Sequence, residues 1–291
     1  MSWKAVFIIN PKAGSKRNID LSQLITKTVE NAFSYKIIIW ESPQQDLESI
    51  VDDEIKNGYN LFVAVGGDGT VNRVGSILVN KDAVFGIIPM GSGNGLARFL
   101  KIPLNTVKAI KYLKTAKTKI IDSCSINGKT FLCTAGVGFD AHIGKLFANN
   151  TKRGLYSYIS IIFNQFFSYK PEEYILEFDD KKICVKAYLI TFANANQWGN
   201  NAIIAPEANI LDGIINVTVL RPFNKLFSIP LMIRLFNKTI HHSCYIDTYK
   251  TKEITIKRKL SGAVHYDGEP DEMNTEIKIK IHPSSLKIAL K

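Results

Sequence analysis

One stretch constrains this chain more than any other: Val63-Ala64-Val65-Gly66-Gly67-Asp68-Gly69-Thr70-Val71-Asn72, where an apolar run meets three glycines within four residues. The apolar run reads as a buried strand, and residues 71–78 read as the helix that follows it. Glycine lets the backbone turn sharply and expose N–H groups at close range, and a helix N-terminus attracts negative charge. A phosphate group suits both. An aspartate inside such a loop would repel phosphate unless it held Mg²⁺ or took a proton from a substrate, so it points to chemistry as well as binding. An ordinary tight turn is the plainer alternative, and it does not call for this whole string between strand and helix.

The flanking sequence alternates strand and helix up to about residue 122. Residues 5–9, 36–40, 61–65 and 84–88 are short apolar runs of strand length. Between them Leu21, Leu24, Ile25, Thr28, Val29 and Ala32 recur at helical spacing behind a cap at Asp20, and Leu47, Ile50, Val51 and Ile55 do so ahead of Asn57-Gly58. This order predicts a parallel sheet with helices on both faces. Two further glycine-bearing loops follow strands: Asn10-Pro11-Lys12-Ala13-Gly14-Ser15 after the first, and Pro89-Met90-Gly91-Ser92-Gly93-Asn94-Gly95 after the fourth. Ligands bind beyond the carboxyl ends of strands in open α/β sheets, so three such loops build one crevice. The chain lacks G-x-x-x-x-G-K-[ST], which excludes a P-loop enzyme. It also lacks a G-x-G-x-x-G after the first strand, which argues against a dinucleotide dehydrogenase.

Beyond Asp122 the pattern turns strand-rich. Asn127-Gly128 lies between two strand-like runs, a strong hairpin signal. Residues 174–178, 183–193, 214–220, 253–257 and 276–281 are β-branched or alternating. The expectation is an α/β domain over residues 1–122 and a largely antiparallel β-sandwich over 123–291, whose last strand can return to the first domain.

Lys and Arg outnumber Asp and Glu by 37 to 26, giving a net charge of +11. That excess favours nucleotide phosphates, nucleic acid or an acidic membrane surface. No nucleic-acid-binding motif accompanies it, so no nucleic-acid partner is expected. Cys124, Cys133, Cys184 and Cys244 form no C-x-x-C pair, which argues for a reducing cytosol rather than zinc or disulfides. The apolar run at residues 5–9 is too short for a signal-peptide core. The apolar stretches at 156–169 and 226–236 are broken by Asn164 and Gln165 and by Pro230 and Arg234, short of the roughly 20 residues that span a bilayer. The reading is a cytoplasmic protein with peripheral membrane contact, and a homodimer is allowed.

Asn10-Pro11-x-x-Gly14, Gly66-Gly67-Asp68-Gly69-Thr70 and Pro89-x-Gly91-Ser92-Gly93-Asn94, at this spacing, resemble the bacterial diacylglycerol kinase and sphingosine kinase superfamily. The resemblance continues through Gly136-x-Gly138-Phe139-Asp140-Ala141, Lys152-Arg153-Gly154-x-x-x-Tyr158, Ala205-Pro206-x-Ala208, Leu211-Asp212-Gly213 and Asp267-Gly268-Glu269, and so covers nearly the whole chain. It implies an NAD-kinase-like α/β domain that carries ATP, a C-terminal β-sandwich, and an active site between them. It implies that Asn10, Pro11, Lys12, Ala13, Gly14, Glu41 or Ser42, Gly66, Gly67, Asp68, Gly69, Thr70, Val71, Asn72 and Ser92 line the nucleotide. Glu269 is then the general base, with Asp68 its rival and Asp267 in the same motif. Asn209, Asp212 and Ile214 would hold a structural Mg²⁺, the flanking two through main-chain carbonyls.

Many bacterial diacylglycerol kinases have Asp after the Asn of the third loop, where this chain has Gly95. The Gly-Ser-Gly-Asn run is closer to the sphingosine kinase version, which leaves the acceptor open between a diacylglycerol and a sphingoid base. Ser15 stands where one branch has Lys, and Lys16 beside it is expected to pair with Asp122.

The implied activity is transfer of the γ-phosphoryl group of ATP to a hydroxyl of a membrane lipid. Its rivals are an NAD kinase, which uses the same Gly-Gly-Asp-Gly-Thr loop for a soluble acceptor, and a nucleotide-binding regulator without catalysis. Plainer readings also stand beside the site residues. Asp267-Gly268-Glu269 can be an acidic hairpin turn, Asp212-Gly213 a simple turn, and Asp140 a helix cap rather than a group facing the acceptor. The five histidines show no ligand pattern and are expected to be structural. Residues 156–169 are expected to form a core helix, part of which lines a lipid cleft through Tyr158, Ile161 and Phe167.

Overall fold

The computed structural model describes residues 3–11, 20–29, 32–42, 45–148, 164–166 and 168–291. The chain divides into two units, residues 1–123 with 283–291, and residues 124–282.

The first unit runs β1 (Lys4–Ile9), α1 (Leu21–Val29), β2 (Ser34–Ile39), α2 (Leu47–Lys56), β3 (Leu61–Gly66), α3 (Asp68–Leu78), β4 (Val84–Pro89), α4 (Gly95–Phe99) and α5 (Thr106–Leu113). Every residue of β3 and β4 is buried, as expected of strands covered on both faces. The strands pair in parallel in the order β2-β1-β3-β4. Ile25 and Val29 of α1 and Ala109, Ile110 and Leu113 of α5 pack on one core with Phe7, Val63 and Val65. The helix starts are coded locally: Asp20 accepts from Gln23 N, Asp46 from Ser49 N and Asn105 from Lys108 N, each at 3.1 Å. Gly58 closes α2 with φ +81°, a conformation that favours glycine.

The second unit contains the end of β5 (Lys117–Ile126), whose first seven residues belong to the first unit, then β6 (Lys129–Phe131), β7 (Thr134–Gly138), α6 (Phe139–Ala148), β8 (Glu172–Phe178), β9 (Lys181–Ala187), β10 (Leu189–Ala193), β11 (Ile215–Leu220), α7 (Ser228–Phe236), β12 (Ile246–Thr251), β13 (Glu253–Arg258), β14 (Gly262–Tyr266), β15 (Glu269–Met273) and the first part of β16 (Glu276–Leu290). One antiparallel set joins β16, β13, β8 and β9, and a second runs β12-β11-β10-β7-β14-β15. Both contribute to one core that holds Phe131, Tyr174, Phe192, Val217, Ile254 and Ile277. The architecture is an α/β domain followed by an antiparallel β-sandwich, as the strand patterns predict. Asn127-Gly128 makes the expected two-residue turn, with φ of 45° and 80°.

One expectation fails here. Residues 183–193 are not a single strand but two, β9 and β10, in different sheets. Tyr188 is the corner: its N–H donates to Leu220 O at 2.7 Å and its carbonyl accepts from Phe139 N at 2.9 Å, outside the β8–β9 ladder. The end of β16 belongs to the first unit, where Lys287 and Ile288 lie beside Val84 and Phe85 of β4 in parallel.

Candidate active site

Parallel pairing brings the carboxyl ends of β1, β3 and β4 to one edge. Asn10 N donates to Val65 O at 3.1 Å and Met90 N to Gly66 O at 2.7 Å, so each loop begins bonded to the strand beside it. Asn10 Nδ2 donates to Thr70 Oγ1 at 3.0 Å, which ties the first loop to α3. The glycines permit close approach: a Cβ on Gly91 would lie 2.8 Å from Gly67 Cα, and one on Gly66 would lie 2.4 Å from Thr70 Oγ1. No side chain caps α3 at Gly67, which leaves this helix start open to an anion.

Asp68 organises the neighbouring loop. Its two carboxylate oxygens accept from Asn94 N and Gly95 N, each at 2.9 Å, at the start of α4. Asn94 sits in the left-handed region with φ 50° and closes a ring on Gly91, accepting from its N–H at 2.9 Å and donating to its carbonyl at 2.7 Å. Arg98 Nε donates to Gly93 O at 2.9 Å. Burial raises the Asp68 carboxyl above its ordinary value, and the two amides and the Arg98 charge offset part of that rise. Arg98 is a loop-shaping residue that motif reading does not single out, and Asn94 stands in the third-loop motif without its ring on Gly91 being legible there.

The other residues expected at the nucleotide divide by exposure. Thr70, Val71 and Asn72 are buried, and Val71 N already donates to Gly67 O at 3.0 Å. Pro11, Glu41 and Ser92 are exposed, and Gly67 and Gly69 half-buried. Lys12, Ala13, Gly14, Ser15 and Lys16 lie outside the described residues. So do Lys152, Arg153, Gly154, Tyr158, Ile161 and Phe167, with most of the expected aromatic helix. Asp122 is buried and accepts from Ser284 N at 2.7 Å. The residues at hand fit nucleotide phosphates: unshielded glycine backbone, an uncapped helix start and few competing side chains.

In the second unit, Asp267-Gly268-Glu269 does form a hairpin turn. Asp267 and Gly268 link β14 to β15 with φ of 49° and 85°. The Asp267 carboxylate accepts from three consecutive amides, Leu132 N at 2.7 Å, Cys133 N at 2.8 Å and Thr134 N at 3.0 Å, and its own N–H donates to Thr134 O at 2.8 Å. The turn is thereby fastened to the entry of β7, with Glu269 exposed at the first position of β15.

Asp140, at the start of α6, has Oδ2 3.0 Å from His265 Nε2, both side chains largely buried. Gly136 makes the approach possible, since a Cβ there would lie 2.7 Å from each of these atoms. Asp140 Oδ1 accepts from Ala141 N at 2.8 Å. A partner for His265 is not visible in local sequence, because the two residues stand 125 positions apart.

Asn209, Asp212 and Ile214 share one tight loop. Asn209 Oδ1 accepts from Leu211 N at 3.2 Å and Asp212 Oδ1 from Ile214 N at 3.0 Å, while the Asn209 carbonyl receives only a long 3.5 Å contact from Asp212 N. Among the described residues no cluster of three His, Cys, Asp or Glu gathers around a point. A cation in this loop would have one carboxylate and main-chain carbonyls, an all-oxygen set of the kind that suits Mg²⁺ with water completing its shell.

The diacylglycerol kinase catalytic domain matches residues 4–126, and the YegS C-terminal NAD kinase beta sandwich-like domain matches residues 133–290. The chain belongs to the family that joins these two domains, a diacylglycerol kinase catalytic domain followed by a YegS C-terminal domain. Within this kinase family, the protein named "Probable lipid kinase YegS-like" of Pseudomonas aeruginosa strain PAO1 is 26% identical over 259 residues, 87% of this chain and 83% of that protein. "Probable lipid kinase YegS" of Salmonella arizonae is 26% identical over 301 residues, covering 98% of this chain and 95% of its own. The crystal structure of a diacylglycerol kinase from Bacillus anthracis str. Sterne superposes with a TM-score of 0.74 at 20% identity, over 99% of this chain and 97% of that one. That likeness is one of fold. No helix among the described residues of this family member is long and apolar enough to cross a membrane.

Proposed function

We propose that this protein is an ATP-dependent lipid kinase that transfers the γ-phosphoryl group to a hydroxyl of a membrane lipid, a diacylglycerol or a sphingoid base. The observation that carries the reading is the pair of glycine loops after β3 and β4, locked together by Asp68, in a chain of the family that joins these two domains. Phosphoryl transfer asks a protein mainly to hold two oxygens in line and to offset spreading negative charge.

In this scheme the main chain of Gly67, Gly69 and Gly91 to Gly93 and the start of α3 bind the phosphates, with Asn10 and Ser92 beside them. Mg²⁺, when bound, neutralises phosphate charge. Glu269 takes the proton of the acceptor hydroxyl as that oxygen forms a bond to the γ-phosphorus. The bond from the γ-phosphorus to the bridging oxygen breaks, and ADP leaves with the electron pair. Asp68 acts as a positioning residue, since its carboxylate is committed to the amides of Asn94 and Gly95. Asp267 likewise positions the turn that presents Glu269. Asn209, Asp212 and Ile214 are the proposed holders of a structural Mg²⁺.

The test is a radiolabelled-ATP assay of the purified chain on diacylglycerols, sphingoid bases and NAD, with products identified by mass spectrometry. The expected result is labelled lipid and no labelled NAD. Robust NAD turnover without labelled lipid would sink the reading and favour an NAD kinase.

A further inference from the structure

Helix α7 carries its apolar side outward. Ile229, Met232, Ile233 and Phe236, spaced i, i+3, i+4 and i+7, are 62%, 53%, 54% and 51% exposed. The 3₁₀ turn Lys225–Phe227 before them adds Leu226 at 84% and Phe227 at 47%. The helix is nevertheless anchored. Leu231 is buried with Ile240 and Ile246, and Leu235 packs on Ala193, Ile204 and Ala208. A surface helix ordinarily turns such a stripe toward the core and a polar face to water. Here the inner side is satisfied and a second apolar face is left over. Contiguous exposed apolar surface of this kind marks an interaction site.

The charge around the stripe selects the partner. Residues 221–246 contain no Asp or Glu, while Lys225, Arg234 and Lys238 are basic; His241 and His242 are discounted because the Glu207 carboxylate acts on both. Arg221 is discounted because its Nε pairs with Asp247 at 2.9 Å. A two-fold interface would set this patch against itself, cation facing cation without an acid to relieve it. A surface with acyl chains below and negative headgroups above meets both demands. At nine residues the helix is about 14 Å long, suited to lying in that plane and far too short to cross it.

We propose that α7, with the turn at Lys225–Phe227, is the docking surface by which this protein seats on an anionic membrane. The choice of a membrane rests on the lipid-acceptor reading above.

The test is flotation of the full chain with phosphatidylcholine vesicles, with and without phosphatidylglycerol. Wild type should float with the anionic vesicles and come off as salt is raised. The exposed pair Ile233→Glu with Phe236→Glu should lower partitioning at least about tenfold while leaving the melting temperature unchanged. Lys238→Glu, at an exposed position outside the apolar stripe, should weaken binding to anionic vesicles only. Phosphorylation of a vesicle-borne lipid should fall in the double variant, and that of a dispersed short-chain acceptor should not. Equal flotation of wild type and double variant overturns the proposal. So does a variant that changes only the oligomeric state by gel filtration, which would assign the face to a second copy. Loss of flotation in the variant, with no lipid phosphorylated even by wild type, supports the docking surface and sinks the kinase reading alone.

Discussion

The carboxylate of Asp68 and the main-chain nitrogen of Asn94 stand 2.9 Å apart, across two glycine loops that are distant in sequence and adjacent in the sheet. With the second bond to Gly95, one side chain after β3 fixes the loop after β4. The Asp68→Asn side chain would keep one acceptor and turn an NH₂ toward the other amide. A buried donor left facing a donor costs about 1–3 kcal/mol. Asp68→Asn is therefore expected to lower the urea midpoint as well as turnover, the latter by about a hundredfold. Normal stability together with normal turnover would remove the positioning role.

Asp267 and Glu269 are separated by one residue and should respond differently. Asp267→Ala releases three amides at the start of β7 and is expected to cost about 2–4 kcal/mol, seen as a lower unfolding midpoint. Glu269→Gln alters an exposed side chain at the head of β15, so the fold should keep its stability while turnover falls about a hundredfold. Equal turnover in Glu269→Gln and wild type would exclude Glu269 as the base.

The loop of Asn209, Asp212 and Ile214 can be tested by thermal melting. A cation bound only by the native state stabilises it in proportion to occupancy. Wild type should melt higher as Mg²⁺ is added, and Asp212→Ala should lose that response. An equal rise in both proteins would place the Mg²⁺ elsewhere.

His282 supplies a pH dependence. Its Nε2 lies 2.8 Å from Ser125 Oγ, and its pKa is held below 6.5, first by burial and then by the Lys280 charge. The unfolded chain therefore takes up a proton at a higher pH than the native chain does. Stability contributed by neutral His282 is present above pH 6.5 and is lost as pH falls from there toward the lowered native value. His282→Gln should flatten the unfolding midpoint across that window. A wild-type slope that persists in the variant assigns the proton to another group.

Much of the fold was written locally. The wholly apolar runs of β3 and β4, the cap at Asp20 and the Asn127-Gly128 turn each depend on a few neighbouring residues, and periodicity and turn chemistry report those directly. The glycine loops were legible for the same reason, since a bare backbone after a strand is a local requirement. Their coupling was not. Asp68 finds Asn94 across 26 positions, Asp140 finds His265 across 125, and Asp267 finds Leu132 across 135. Sequence spacing carries no record of such pairs, because strand order and register choose them. Residues 183–193 read as one strand, yet Tyr188 divides them, since its backbone bonds go to Leu220 and Phe139. In α7 the spacing of Ile229, Met232, Ile233 and Phe236 makes one helical stripe, which the sequence shows only as an apolar stretch. Only packing, which spends the inner side on Leu231 and Leu235, turned that stripe outward.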